Sequence, residues 1–150
     1  MLYNNCMPNL FTVEHYSFSS DAMEKYASTG KEECKAIMKA IYDENPSYWP
    51  YGLNIDSHNE VYLIRDKMTK AAAGFVGWQQ WTEWPMKKVG SYSIGILPEY
   101  RRQGYASEAV AKVLQEKCAS VDEVRCYAED HNVRSKGLAK KLHVNVFTDF

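Results

Sequence analysis

The first clear pattern of apolar positions is helical. Between residues 31 and 43, apolar residues recur at positions i, i+3, i+4, i+7 and i+8, which predicts an amphipathic helix. This helix is predicted to end at Asn45-Pro46. A β-prone stretch at 9–17 precedes this helix. The buried stripe consists of Cys34, Ile37, Met38, Ile41 and Tyr42.

Beyond this helix, short β-type runs dominate and then alternate with helical patterns. Residues 61–65 and 73–78 flank a polar break, which predicts an antiparallel hairpin. A third strand, 91–97, stops at Pro98. The remaining predicted elements are a helix with a buried stripe from Ala106 to Cys118, a strand at 124–128, a helix at 133–142 and a last strand at 144–148.

This order of elements predicts an α/β fold. Antiparallel strands followed by a β-α-β-α-β succession form a mixed sheet with helices on both faces. No Gly-, Ser- or Pro-rich linker divides the 150 residues, so we expect a single domain over 1–150. That length is enough to bury a core without metals or disulfides, and the hydrophobic content of 45% is ordinary for a globular protein.

Charge and targeting features narrow the class of protein. The formal net charge is −1, which disfavours a general nucleic-acid or membrane binder. The first residues lack the basic and apolar regions of a signal peptide, and no apolar run approaches the ~20 residues needed to cross a bilayer. A cytoplasmic location is predicted. The four cysteines are scattered along the sequence and are predicted to be free thiols: Cys6, Cys34, Cys118 and Cys126.

The segment between the third strand and the next helix carries the chemistry. Arg101 and Arg102 lie between the strand end and Gly104, at which a helix begins. Helix N-termini present unpaired amides and a partial positive charge, and glycine lets a ligand approach the backbone closely. These features predict a site for a phosphate-bearing ligand. The sequence lacks both the P-loop and the G-x-G-x-x-G pattern, which disfavours those nucleotide folds.

A family resemblance begins at these residues. The run Arg101-Arg102-Gln103-Gly104-Tyr105-Ala106 resembles the Q/R-x-x-G-x-G/A signature of the GNAT superfamily, whose members are N-acetyltransferases that use acetyl-coenzyme A. Residues 94–100 resemble the family's fourth strand and turn, and the earlier hairpin that contains 73–78 resembles its second and third strands. Asn132-Val133-Arg134-Ser135 with Lys141-Leu142 resembles a later family segment. The likeness covers about residues 55–147 and is nearest in character to the branch that acetylates ribosomal-protein N-termini.

The resemblance implies a fold, a cosubstrate and a reaction. It implies a mostly antiparallel sheet with a splayed parallel strand pair, and transfer of acetyl from acetyl-coenzyme A to a primary amine by direct attack in a ternary complex. A strand amide near Ile96 would polarise the thioester carbonyl. The implied cofactor-binding residues are Ile96 and Leu97 for pantetheine, Arg101, Arg102, Gln103, Gly104, Tyr105 and Ala106 for the pyrophosphate, and Asn132 and Ser135.

Three departures from the family pattern concern the acid and base. Ala139 stands where many members have a tyrosine acid, Tyr127 where one branch has a glutamate base, and His143-Val144 where a glycine–aromatic pair is usual. Without a strong base, a weakly basic acceptor is predicted, because an α-amine is roughly 10% neutral at pH 7 and a lysine below about 0.1%. The candidate groups are Tyr127 and Tyr92 as catalytic residues, with Glu83, Glu129 and Asp130 as bases acting through water.

Alternative interpretations stay open at this point. The chain could be a non-catalytic acyl-coenzyme A-binding or structural protein of the same fold, or a nucleotide-binding regulatory domain. Asn132 could act only as a helix N-cap. Tyr48, Trp49 and Tyr51 could pin a loop or line the acceptor pocket, and Trp78, Trp81 and Trp84 suggest a flat apolar acceptor surface. The four histidines lack metal-ligand spacing, and a homodimer sharing sheet edges is compatible with the short C-terminus.

Overall fold

A computed structural model describes residues 11–17, 30–50 and 52–148. Cys6 and Tyr51, named above, lie outside these ranges. The strands are β1 (Phe11–Ser17), β2 (Glu60–Asp66), β3 (Ala72–Glu83), β4 (Lys87–Ile96), β5 (Glu123–Tyr127) and β6 (Asn145–Phe147), and the α-helices of the described ranges are α1 (Gly30–Glu44), α2 (Tyr105–Lys117) and α3 (Val133–Lys141).

The strands form one sheet in the order β1-β2-β3-β4-β5-β6. The first four are antiparallel neighbours, whereas β4 pairs with β5 and β5 with β6 in parallel. Each parallel connection contains a helix, as this direction requires. The mixed sheet predicted from the order of elements is therefore confirmed. None of the helices in the described ranges is long and apolar enough to span a membrane.

The hairpin between β3 and β4 is longer than the sequence pattern predicted. The ladder continues beyond Trp78 until Glu83 pairs with Lys87. Gln79 and Gln80 lie in this outer half, and its far end is largely exposed. The sequence pattern did not predict these strand residues because they are largely polar. Backbone pairing, rather than burial of apolar side chains, holds them in the strand.

Each face of the sheet packs against helices and has its own apolar core. On one face, α2 places Val110 and Leu114 against Trp78 and its neighbours. On the other face, α1 places Met38 against Leu63 and Phe75. Full burial of such a side chain contributes about 1.5–3 kcal/mol. Helices on both faces, as predicted, hold the central strands β3 and β4 in fixed positions.

Candidate functional site

Strands β4 and β5 pair over three residues and then separate. Their ladder begins at Val89 and Glu123 and ends where Ser91 meets Arg125, although β4 continues to Ile96. Beyond Ser91, the β5-side edge of β4 faces a gap instead of a neighbouring strand. This is the splayed parallel pair that the resemblance implied.

Two isoleucines present their backbone groups to the gap. The Leu97 amide donates a hydrogen bond of 2.9 Å to the Ala73 carbonyl, on the β3 side. Because the backbone groups of successive strand residues point to opposite edges, those of Ile94 and Ile96 point away from β3. The Ile96 carbonyl accepts a hydrogen bond of 3.0 Å from Arg101 Nε. The gap therefore has a polar backbone edge.

Leu97 was expected beside Ile96 as a backbone contact, but the structure directs its backbone elsewhere. Its amide donates to the Ala73 carbonyl, and its own carbonyl accepts from the Tyr100 amide at 3.0 Å. The side chain packs against the core on the α1 face. Both backbone groups of Leu97 are thus used inside the protein.

The turn between β4 and α2 directs backbone amides outward. Arg102 and Gly104 have φ values of 62° and 85°, in the left-handed region, and no side chain caps the first turn of α2. Amides of a first helical turn lack acceptors within the helix, and left-handed residues in a turn shape amides into an anion-binding concavity. A Cβ on Gly104 would meet nothing nearer than Glu108 Oε1 at 3.9 Å. Glycine is therefore favoured here by its φ and not by lack of space.

The two arginines of the signature have different roles in the structure. Arg101 donates to both carboxylate oxygens of Glu44 at 2.6 and 2.5 Å, which ties the turn to the end of α1. These hydrogen bonds are the main reason that the pKa of Glu44 is lowered. Arg102 is exposed at the mouth of the site. Arg101 thus braces the turn, while the charge of Arg102 faces solvent.

A cavity of about 780 Å³ runs from the gap to the turn; we call it the long cavity. Most of the residues predicted to bind a cofactor line this cavity. Its basic side chains at the surface are Arg102, Arg134 and Lys141. The predicted residues on its wall are Ile96, Arg101, Arg102, Gly104, Tyr105, Ala106, Asn132 and Ser135.

Two residues of the signature direct their polar side-chain groups to other parts of the protein. The Gln103 amide group donates to the Glu99 carbonyl at 3.2 Å. The Tyr105 hydroxyl donates to Asp66 at 2.7 Å, and this hydrogen bond raises the pKa of Tyr105 to about 12. Tyr105 thereby anchors the start of α2 to the end of β2.

Asn132 is the N-cap of α3. Its Oδ1 accepts a hydrogen bond of 3.2 Å from the Ser135 amide, and the residue is buried. The capping role considered from the sequence is therefore confirmed. Both Asn132 and Ser135 also line the long cavity, so the cap lies at the cavity-facing end of α3.

A second cavity of about 520 Å³ adjoins the long cavity; we call it the aromatic cavity. Four aromatic side chains form part of its wall: Tyr48, Trp49, Tyr92 and Tyr127. The two cavities share five wall residues, which are Tyr48, Trp49, Ile94, Asn132 and Ser135. They therefore meet at the gap between β4 and β5, where a group bound in one cavity can reach a group bound in the other.

The tryptophans proposed as an acceptor surface do not act as one. Trp78 is fully buried in the core, and Trp84 is 93% exposed at the hairpin tip. Trp81 instead packs against Tyr127, with ring centroids 6.3 Å apart. Trp49 packs against Phe75 at 6.3 Å and also borders the aromatic cavity, so it both pins its loop and lines the pocket.

The two tyrosines named as catalytic candidates both border the aromatic cavity. Tyr92 is buried, and the interaction of its hydroxyl with the Cys126 thiol partly offsets the rise in the pKa of Cys126 caused by burial. The Tyr127 hydroxyl accepts a hydrogen bond of 3.1 Å from Arg125. Tyr127 is the more accessible of the two.

The carboxylates considered as bases do not border either cavity. Glu83 is paired with Arg125 through contacts of 2.9 Å, and Asp130 with Lys136 at 2.9 Å. These hydrogen bonds lower the pKa values of both carboxyl groups. Both are therefore weak bases as well as remote ones.

A histidine that the sequence did not single out for catalysis borders the aromatic cavity. His58 is 6% exposed, and burial lowers its pKa. Its Nδ1 lies 3.0 Å from the Asn54 carbonyl and its Nε2 lies 3.1 Å from Ser93 Oγ. Gly77, directly beneath the ring, provides the space for it. A glycine between the large residues Val76 and Trp78 was the sequence signal that could have indicated a close packing partner.

Comparisons with known proteins agree with this geometry. The GNAT acetyltransferase domain family matches residues 11–145. Comparison with curated proteins found no match. Among solved structures, a probable acetyltransferase superposes with a TM-score of 0.64 at 14% identity, covering 93% of each chain.

Two further neighbours have described activities. Ribosomal-protein-alanine N-acetyltransferase from Brucella melitensis biovar Abortus 2308 has a TM-score of 0.60 at 13% identity and covers 93% of this chain and 94% of its own. An aminoglycoside acetyltransferase from an uncultured soil metagenomic sample, in complex with sisomicin, has a TM-score of 0.62 at 10% identity, with coverages of 89% and 87%. At these identities the neighbours show the fold, whereas the family match extends over most of the sequence. The chain belongs to the GNAT acetyltransferase domain family.

Proposed function

We propose that this protein is an N-acetyltransferase that binds acetyl-coenzyme A in the long cavity and a weakly basic amine in the aromatic cavity. The observation that carries the proposal is the continuity of the β4–β5 gap with the amide-rich turn before α2. Acetyl-coenzyme A supplies an activated thioester, and the chain supplies binding, orientation and proton transfer.

The long cavity suits a ligand with a charged end and an amide-bearing arm. The first-turn amides of α2 and the side chain of Arg102 would hold the pyrophosphate. The backbone edge at Ile94 and Ile96 would hydrogen-bond the pantetheine arm and the acyl carbonyl, in the manner of an oxyanion donor. Arg134 and Lys141 add positive charge on the same wall. Arg101 would act indirectly, by holding the turn against Glu44.

The aromatic cavity suits an uncharged amine. Among the described residues of its wall none is Asp, Glu, Lys or Arg, so no carboxylate there compensates a cationic acceptor. A weakly basic amine, such as an aromatic amine or a peptide α-amine, is partly neutral at pH 7, whereas an alkylamine near pKa 10 is almost wholly charged. Polycationic aminoglycosides, bound by the soil-metagenome neighbour, therefore fit poorly.

Calorimetric titration with acetyl-coenzyme A tests the cofactor site. We expect micromolar binding by the wild type and none by Gly104→Glu, whose carboxylate would occupy the pyrophosphate position. Gly52→Glu is the matched control for this binding measurement alone, because Gly52 has φ 77° and open space around its Cβ position and lines the aromatic cavity instead of the long cavity. Absence of binding by the wild type would contradict the proposal.

Thiol release from acetyl-coenzyme A then separates an enzyme from a binding protein. The panel compares two acceptors. Phenylalanine amide offers an α-amine beside an aromatic side chain, and a peptide lysine offers an ε-amine. We expect release with the α-amine to exceed release with lysine. A preference for lysine would contradict the proposed acceptor class, and tight binding with no release from any amine would favour the non-catalytic alternative.

A further inference from the structure

A buried histidine and a serine on β4 form a hydrogen-bonded pair inside the aromatic cavity. His58 Nε2 and Ser93 Oγ are 3.1 Å apart, and both residues line the cavity wall. Ser93 lies directly opposite Gly77 in the β3–β4 ladder, so the imidazole rests on the sheet face between them. The pair thus lies close to Ile94, which belongs to both cavities.

The surroundings of His58 determine which of its nitrogens carries the proton. Nδ1 lies 3.0 Å from the Asn54 carbonyl, and a carbonyl can only accept a hydrogen bond. Ser57 Oγ lies 3.3 Å from Nδ1 but donates its proton to the same carbonyl over a shorter distance, 2.7 Å. Nδ1 is therefore the N–H of the neutral ring, and Nε2 is the acceptor. Ser93 Oγ–H then donates to Nε2, which leaves the serine oxygen lone pairs available to the cavity. The arrangement is that of a base held in one tautomer by a backbone carbonyl.

We propose that Ser93 and His58 form the proton path that deprotonates the acceptor amine during acetyl transfer. The proposal rests on the acetyltransferase function above and assigns residues that the sequence left open. It also agrees with a weakly basic acceptor, because an imidazole whose pKa lies below its usual value is neutral at pH 7 but cannot deprotonate a free alkylammonium.

The protons and electrons balance along this path. The amine lone pair forms the C–N bond to the acyl carbon, and the C–S bond breaks with its electron pair on sulfur. The proton lost by the amine nitrogen passes to Ser93 Oγ as the serine proton passes to His58 Nε2. The imidazolium then returns one proton to the thiolate, so that coenzyme A leaves as the thiol and the pair is restored.

Few other ionisable groups face the pair. On the described wall of the cavity these are the phenols of Tyr48, Tyr92 and Tyr127 and the thiol of Cys126. The pKa of Cys126 is raised by burial, so that this group is neutral at pH 7. His58 therefore gains or loses its proton with no charged side chain beside it on that wall.

Nuclear magnetic resonance of the imidazole nitrogens tests the pair without any turnover. We expect the Nδ1–H tautomer in the wild type and a displaced Nε2 resonance in Ser93→Ala. Ser91→Ala is the matched control, since Ser91 is a buried serine on the same strand that does not line the cavity. An Nε2–H tautomer in the wild type would overturn the proposal. So would an Nε2 resonance that is the same in Ser93→Ala as in the wild type.

Kinetics of thiol release test the proton path itself. The rate is measured with phenylalanine amide as acceptor and, as the background, without any amine. General-base catalysis is typically worth about 10²–10⁴-fold. We expect His58→Gln and Ser93→Ala to lower kcat about 10²-fold with unchanged acetyl-coenzyme A affinity, and Ser93→Thr to restore much of it. The wild-type kcat should fall as the pH drops through the His58 pKa, and His58→Gln should lack that limb.

The outcomes separate this inference from the proposed function. Acetyl-coenzyme A that fails to bind the wild type contradicts the acetyltransferase, whereas intact binding with an undiminished rate in His58→Gln contradicts only the proton path. Acetylated Ser93 found by mass spectrometry without acceptor would also overturn the path, because the serine would then be a nucleophile.

Discussion

Gly77 lies directly beneath the ring of His58. A Cβ built on Gly77 would come within 2.4 Å of His58 Cδ2 and 2.7 Å of its Nε2. Because the backbone of β3 is paired on both sides, the strand cannot retreat, and the imidazole depends on the absence of a side chain at this position.

Gly77→Ala is therefore expected to displace His58 from Ser93. Overpacking of a tight site costs about 1–3 kcal/mol, so the free energy of unfolding should fall by about that amount in a denaturant titration. The imidazole nitrogen resonances should change in the same variant. Gly77→Ala with wild-type stability and an unchanged His58 spectrum would show that the ring does not rest on this glycine.

Gly137 offers the opposite expectation. It lies inside α3, and a Cβ there would meet no atom within 4 Å. Alanine in a helix interior is more stable than glycine by about 0.5–1 kcal/mol. Gly137→Ala should raise Tm in a thermal melt, and a lower Tm would contradict the helical geometry at this position.

Arg102 should contribute to acetyl-coenzyme A affinity through its charge. An exposed cation near a phosphate is worth on the order of 1 kcal/mol or less, so Arg102→Gln should weaken binding about fivefold or less at low salt. The loss should shrink as salt screens the charge. Lys140→Gln removes an equal charge from an exposed position of α3 outside the long cavity, and calorimetry should find its affinity unchanged. Equal losses in the two variants would indicate only a general effect of net charge.

Glu123 gives the fold a defined acid sensitivity. It accepts from Arg125 Nε at 2.8 Å and pairs with Lys87 at 2.7 Å. These hydrogen bonds, Arg125 first, lower its pKa from the ordinary 4.5 to about 2. Since the folded state holds the proton less tightly than the unfolded state, the stabilisation is fully present above pH 4.5 and is lost as the pH falls toward 2.

Denaturant titrations between pH 7 and pH 2 check this expectation. Glu123→Gln should be less stable than the wild type at pH 7, and the difference should narrow as the pH falls through that window. Glu99→Gln, at an exposed carboxylate, serves as the control. A difference that stays constant with pH would contradict the ion-pair origin of the shift.

The amino-acid sequence by itself determined most of the elements and the glycine–arginine turn before α2. Helical spacing from Cys34 to Tyr42 is enough to define α1, because burial of one face follows from local periodicity. The turn before α2 was likewise visible, since glycine with two arginines at a strand–helix junction reflects local backbone chemistry. These features depend on residues close together in the chain.

The tertiary structure alone decided which groups meet. Glu44 and Arg101 are 57 residues apart and His58 and Ser93 are 35 apart, and no local pattern records such pairings. Strand register placed Leu97 inside the sheet and Ile96 at the gap, because a shift of one residue reverses the edge that a backbone group faces. The contacts of the proposed acid–base groups were therefore hidden from the sequence, since they depend on packing across the sheet, whereas the turn before α2 is encoded within a few adjacent residues.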